Sequence, residues 1–198
     1  EVLASREMID NFSLDRVSKS SASFDPQKLD AFQEHYMSEL PEAAVLGMAL
    51  PFLERAGFVA TPASESETVR AAAVVAAAGD RIKVAGDVLE YPEFFGDDDD
   101  FAYDEAAFEK RLTAPEEAAG LLAGFRDALA ELAAWDAATL ETALRDYVAV
   151  RDVKLGQVIH ALRIAVTGKP VGFGMFEILE VLGKASCLAR IDRALALV

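Results

Sequence analysis

Apolar residues along most of the chain recur every three or four positions, which is the period of an amphipathic α-helix. One such stripe, of Leu, Phe, Tyr, Met and Leu, spans positions 29 to 40. It follows Asp25-Pro26, a strong helix start, because aspartate caps free N–H groups and proline fits the first helical position. We therefore expect a helix here that buries its apolar stripe.

The same period predicts helices along the rest of the chain. Residues 60–66 and the serine-rich stretch 16–23 are expected to be connections, and only 81–84 resembles a strand, weakly. The predicted fold class is all-α, a helical bundle or superhelical cage of short-connected helices. The further helices are expected from Pro41 to Gly57, over 67–78 and 81–89, from a capping box at Thr113 to about 134, after Asp136, and over 154–165, 175–182 and 185–197.

The charge of the chain is unevenly distributed. The net charge is −15, yet residues 151–198 hold seven Lys/Arg against four Asp/Glu. A strongly acidic protein is a poor nonspecific binder of nucleic acid, because such binding needs positive potential. The asymmetry suggests that the C-terminal stretch meets an anionic partner, and an acidic solubilising surface with an ordinary tail is the alternative.

Catalytic and metal-binding patterns are not found. His35 and His160 have no cysteine or carboxylate at metal spacing, and Cys187 has no partner base. The four aspartates of 97–100 lack the ligand order of a calcium loop and are expected to form a solvated loop. No phosphate-binding glycine loop or nucleophile elbow is present. We predict no catalytic residue and no metal site.

Arg163 is the most informative single residue. It lies on a predicted helix that ends at Thr167-Gly168, before a loop with Gly172, Phe173 and Gly174. An arginine fork can bond base edges or phosphates, and unpaired RNA bases are commonly read by such a loop with stacking. The glycines are expected to be turn residues close to a ligand or a backbone. The alternative is a structural arginine that bonds loop carbonyls at a helix end.

Specific motifs resemble those of bacterial glutamyl-tRNA synthetases. Near the C-terminus these are K-L-G-Q-V-I-H-A-L-R-I-A-V-T-G at 154–168, M-F-E-I-L-E-V-L-G-K at 175–184 and R-I-D-R-A-L at 190–195. At the N-terminus, N-F-S-L-D-R-V-S-K-S-S-A-S-F-D-P-Q-K-L at 11–29 looks like the segment after that family's catalytic signature. Weaker matches lie between, so the resemblance covers nearly the whole chain.

The resemblance implies anticodon-binding roles for five residues. Arg163 matches an arginine that contacts anticodon bases, and Gly172, Phe173 and Met175 match the loop that holds them. In some relatives threonine and proline stand where this chain has Gly172 and Phe173, so backbone contacts or stacking on Phe173 would substitute. Arg81 matches, within about one residue, an arginine that reads the third anticodon base and separates glutamate from glutamine anticodons.

The resemblance also implies an organisation. Residues 1–62 would be the end of a stem-contact region with the first helices, 63–150 a first anticodon-binding subdomain with the acidic loop, and 151–198 a second. The chain starts at Glu1 without a methionine, and we expect it to be a piece of a longer protein. The family's catalytic motifs are absent, and the serine-rich segment 17–21 is assigned no ATP chemistry.

The resemblance implies a function in protein synthesis, the attachment of glutamate to tRNA using ATP. The expected partners are tRNA(Glu) and an N-terminal catalytic domain of the same chain, in a cytoplasmic monomer without a membrane role. ATP with Mg and glutamate would bind that catalytic domain, while this part needs no cofactor and should be inactive alone. The alternatives are an acidic protein-interaction module, or a synthetase that also charges tRNA(Gln).

Overall fold

The computed structural model describes residues 3–17, 21 and 23–198, and within them it is all-α, as predicted. No strand is found in this part of the chain, including the weak candidate at 81–84. Part of the serine-rich stretch, residues 18–20 and 22, lies outside the described residues. The helices are α1 Ser5–Asn11, α2 Pro26–Ser38, α3 Glu42–Ala56, α4 Glu65–Ala78, α5 Glu105–Phe108, α6 Ala118–Ala130, α7 Ala137–Arg151, α8 Leu155–Thr167, α9 Met175–Leu182 and α10 Lys184–Leu195.

Local capping sets several helix starts. Asp25 accepts a hydrogen bond from the Lys28 N–H at the start of α2, and Asp136 accepts one from the Thr139 N–H at the start of α7. Both starts were predicted, because a side-chain oxygen at the N-cap satisfies an otherwise free helix N–H. At the other end of α3, Gly57 takes a left-handed conformation with φ of 75°, which favours glycine.

Two local predictions of helices are wrong. Thr113 starts no helix: a π-helical turn, Glu109–Thr113, runs through it, and α6 begins at Ala118 without a side-chain cap. In place of the helix expected over 81–89 there are two 3-10 turns, Gly79–Arg81 and Ala85–Glu90. Between them, Ile82 and the extended Val84 do not have helical backbone angles. Alternative local hydrogen bonding therefore replaced the regular helix at both places.

The stripe of α2 is not buried as predicted. Leu29, Tyr36 and Leu40 are between 40% and 48% exposed, and Met37 is the buried residue of that helix. Helical periodicity gives the face of a helix that is apolar, but a neighbour must cover that face before it is buried. Within the described part of the chain, nothing covers most of this one.

One continuous hydrophobic core joins α3 and α4 to the C-terminal helices. Helices α6, α8 and α10 pack against one another, α7 packs on α6 and α9, and α9 also contacts α4. Each fully buried Leu, Ile or Phe contributes about 1.5–3 kcal/mol relative to exposure. This packing fixes α8 at the centre of the molecule, so that its ends can position surface groups.

No described helix is both long enough and apolar enough to cross a membrane. Nor do the described residues contain three or more His, Cys, Asp or Glu side chains grouped to hold a metal ion.

Candidate nucleic-acid interface

The C-terminal end of α8 is fixed by close backbone contacts. Gly168 ends the helix with φ of 73°, and its carbonyl accepts a hydrogen bond of 2.8 Å from the Asp104 N–H. A Cβ at Gly168 would lie 2.2 Å from the Ala102 carbonyl oxygen. The segment after the four aspartates therefore lies directly on the helix end, and only glycine fits there, which is the close backbone approach expected for these glycines.

The loop that follows, residues 169–174, is anchored at its start. The Lys169 ammonium donates to the Glu90 carbonyl at 2.6 Å and to the buried Glu93 carboxylate at 2.7 Å. The Thr167 hydroxyl accepts from the Lys169 N–H and donates to the Arg163 carbonyl. These contacts hold the loop in one position beside the 3-10 turn Pro92–Phe94.

The Phe173 ring points into the core. It is 1% exposed, stacks on Phe94 with the ring centroids 5.1 Å apart, and tilts against Tyr91 at 5.5 Å. Base stacking on Phe173, expected as one substitute for the missing threonine and proline, is therefore not available in this structure. Met175 is also buried, at 4% exposure, so it supports the loop from beneath.

Arg163 bonds the loop that carries Phe173. Its Nη1 donates to the Phe173 carbonyl at 3.0 Å, which is the structural contact considered as the alternative. Its Nε and Nη2 donors make no hydrogen bond within the described residues, and neither is a buried atom without a partner. Both donors therefore reach solvent, so the structural contact and an external contact can coexist on one guanidinium.

Gly172 allows this arrangement. It is exposed, and a Cβ there would lie 3.2 Å from Arg163 Nη1. The loop backbone thus passes directly beside the guanidinium, and a larger residue would displace it. Gly172 and the two remaining donors of Arg163 together form a small polar surface.

Arg81, distant in sequence, acts electrostatically on Arg163. It is exposed at the end of the 3-10 turn Gly79–Arg81. Burial lowers the pKa of Arg163, and the positive charge of Arg81 lowers it further. The pKa of Tyr91 is raised, first by burial, while Arg81 opposes that rise. The charge of Arg81 thus adds to the positive potential at Arg163, which favours an anionic ligand there.

Sequence reasoning missed an ion pair that supports α8. Arg190 is 2% exposed, and its Nε donates to Asp98 at 2.7 Å while its Nη1 donates to the Val166 carbonyl at 2.9 Å. Asp98 belongs to the run of aspartates that was expected to be fully solvated, and that expectation is wrong for this residue. No local signal could have revealed the pair, because 92 residues separate its partners.

Known proteins resemble this chain over nearly its full length. A family model described as an anticodon binding domain matches residues 44–195. The glutamate–tRNA ligase of Moorella thermoacetica is 36% identical over 194 residues, 98% of this chain and 39% of that protein. That of Desulforudis audaxviator is 35% identical, over 96% of this chain and 38% of its own length. The resemblance expected from the motifs is confirmed.

A solved structure has the same fold as this chain. A glutamate tRNA ligase from Elizabethkingia meningosepticum, solved in complex with its amino acid, superposes with a TM-score of 0.82 and 22% identity, covering 96% of this chain and 36% of that one. The chain thus spans about two fifths of the length of the ligases that it matches. With the family model matching most of its residues, the chain belongs to the anticodon binding domain family.

Proposed function

We propose that the surface formed by Arg81, Arg163 and Gly172 reads the anticodon bases of tRNA(Glu). The observation that carries the proposal is the orientation of Arg163, whose Nε and Nη2 reach solvent while Nη1 is held by the loop. A guanidinium fixed in this way presents two donors in one plane, the geometry that suits a base edge. The positive charge of Arg81 adds to that of Arg163, so an anionic nucleic acid is attracted to this surface.

The loop residues have supporting roles in this proposal. Gly172 offers exposed backbone and close access to Arg163. Phe173 contributes its carbonyl to Arg163, and its buried ring, like Met175, holds the loop against the core. Recognition by backbone and arginine, rather than by stacking on the loop, is what these contacts support.

The intact protein would be a glutamate–tRNA ligase that attaches glutamate to tRNA using ATP. This part would supply anticodon recognition, and a catalytic domain elsewhere in the same chain would bind ATP with Mg and glutamate. The similarity to ligases over two fifths of their length supports this division of labour. We place the protein in the cytoplasm as a monomer, and we expect Arg81 to make it discriminate tRNA(Glu) from tRNA(Gln).

The test compares binding and charging of tRNA(Glu) with those of a transcript whose anticodon bases are exchanged. We expect Arg163→Ala in the intact protein to bind tRNA(Glu) more weakly by about 1–3 kcal/mol of binding free energy, the scale of one good base contact. The variant should also lose most of its preference for tRNA(Glu) over the transcript with exchanged bases. Arg145→Ala is the matched control, because that exposed arginine pairs with Glu141 on α7.

A purely structural Arg163 would give a different result. Removing Arg163 would then weaken the binding of both transcripts by the same factor, since only the loop would be disturbed. Arg163→Lys sharpens the distinction, because lysine can still bond the Phe173 carbonyl but lacks the planar fork. For Arg81, equal wild-type charging of tRNA(Glu) and tRNA(Gln), unchanged in Arg81→Gln, would refute discrimination.

A further inference from the structure

A second basic feature lies at the opposite end of α8. A groove of about 300 Å³ runs between the start of α8 and the segment that connects α5 to α6. Its charged and polar lining comprises Lys110, Arg111, Glu117, Lys154, Gln157 and His160. Two separate segments, the π-helical turn with Lys110 and Arg111 and the start of α8 with Lys154, therefore bring cationic side chains to one concave surface, in a chain with a net charge of −15.

The groove is lined by three cations and one carboxylate, Glu117, and none of the three cations forms an ion pair within the described residues. No carboxylate of the described residues lies within 4.0 Å of the charged nitrogens of Lys110, Arg111 or Lys154. Elsewhere, Lys169 and Arg190 each hold a carboxylate at 2.7 Å. Unpaired cations around one groove generate local positive potential, which attracts an anionic ligand.

His160 reports the same potential. Its pKa is lowered, first by burial and then by the charges of Arg111 and Arg163. His160 lines the groove and lies one turn before Arg163 on α8, so the groove is next to the arginine that we assign to base reading.

The spacing along α8 fits a nucleic acid strand. Gly156, His160 and Arg163 follow one another at four and three residues, so they share one face of the helix. Seven residues of helix advance about 10 Å, at 1.5 Å each. The start of α8 and Arg163 are therefore about 10 Å apart along the helix, a distance that a few nucleotides of a nucleic acid strand can span.

We propose that this groove binds the phosphodiester backbone of the RNA whose anticodon bases contact Arg163. The inference rests on the proposed function and extends it from base reading to backbone positioning. Lys110, Arg111 and Lys154 would contact phosphate oxygens, and such contacts fix the register of the RNA without reading its sequence. Gly156, without a side chain, leaves access to the N-terminal end of α8.

The experiment measures the affinity of the intact protein for tRNA(Glu) and for the transcript with exchanged anticodon bases, from about 50 to 200 mM salt. The first variant is Lys110→Gln combined with Lys154→Gln, both exposed residues whose side chains make no hydrogen bond within the described part. Adding Arg111→Gln removes the third cation. Arg145→Ala is again the control for a lost positive charge outside the groove.

We expect the double variant to bind both transcripts more weakly by the same factor, roughly tenfold or more at the lowest salt. The slope of log K against log salt should become shallower by roughly 0.7–0.9 for each cation removed. The wild-type preference for the cognate anticodon should persist, because the base contacts remain.

Two results would overturn the inference. Affinities and salt slopes of the groove variants that match those of the Arg145→Ala control would exclude a phosphate contact. Unequal losses for the two transcripts would mean that the groove reads bases. The proposed function fails separately, if the wild type binds both transcripts equally, because the groove is judged from how its variants change affinity and salt slope relative to the wild type.

Discussion

The end of α8 offers a sharp test of the packing described above, through the substitution Gly168→Ala. Gly168 has φ of 73°, and a Cβ there would lie 2.2 Å from the Ala102 carbonyl oxygen and 3.0 Å from the Phe101 ring. Both the backbone conformation and the surrounding space therefore oppose a side chain. Gly57 is a natural control, because it has nearly the same φ of 75° but nothing within 4 Å of the added Cβ.

The two costs can be separated. A left-handed conformation costs an L-residue about 1–2 kcal/mol, and this applies to both glycines. At Gly168 the backbone must also move away from Ala102, a strain of about 1–3 kcal/mol, which endangers the hydrogen bond from the Asp104 N–H. We expect Gly57→Ala to lower the free energy of unfolding by about 1–2 kcal/mol and Gly168→Ala by about 2–5 kcal/mol.

Urea denaturation followed by far-UV circular dichroism measures the difference. With a slope of about 2 kcal/mol per molar urea, the midpoint of Gly168→Ala should fall by about 1–2.5 M, and further than that of Gly57→Ala. Equal losses in the two variants would contradict the reasoning, since they would show that contact with the 101–104 segment adds nothing to the cost.

Three further changes test neighbouring parts of the site. Gly172→Ala should displace the Arg163 guanidinium and weaken tRNA(Glu) binding by about 1 kcal/mol, while the urea midpoint stays nearly constant; unchanged binding would show that the contact is unimportant. Asp98→Asn should destabilise the fold by about 2–3 kcal/mol, because it removes the charge that pairs with a buried arginine. The exposed neighbour Asp99→Asn should cost less than about 0.5 kcal/mol in the same urea titration, and similar values for both would refute the ion-pair role. Burial and two nearby arginines lower the pKa of His160, so the unfolded chain binds the proton more readily and stability should fall as the pH drops below 6.5. His160→Gln should flatten that fall in urea midpoints measured between about pH 7.5 and 5.5, and an identical pH dependence would contradict it.

Much of the fold follows from short-range patterns. Asp25, Asp136 and Gly57 set helix ends through hydrogen bonds or dihedral preferences that involve residues only a few positions away. Such interactions are visible in sequence, since their partners are neighbours along the chain. The same reasoning failed at Thr113, where a π-helical turn competes with the expected cap.

The candidate site, like the fold, was only partly predictable from the sequence. The sequence and its family resemblance indicate Arg163 and the loop after it, and the anticodon-binding roles of these residues stay a prediction. The direction of each side chain could not be predicted, because it depends on what packs against the loop. Phe94 and Tyr91 cover the Phe173 ring, and so the loop presents its backbone and not its aromatic group.

The sequence alone thus determined the all-α class, most helix ends and the arginine of interest, because each rests on a periodic pattern, a local cap or a short motif. Only the tertiary structure decided that Phe173 points into the core, that Asp98 pairs with Arg190, and that the stripe of α2 stays exposed. These features join residues that are far apart in sequence or depend on a covering surface. Their energies come from burial and charge in three dimensions, which no local pattern encodes.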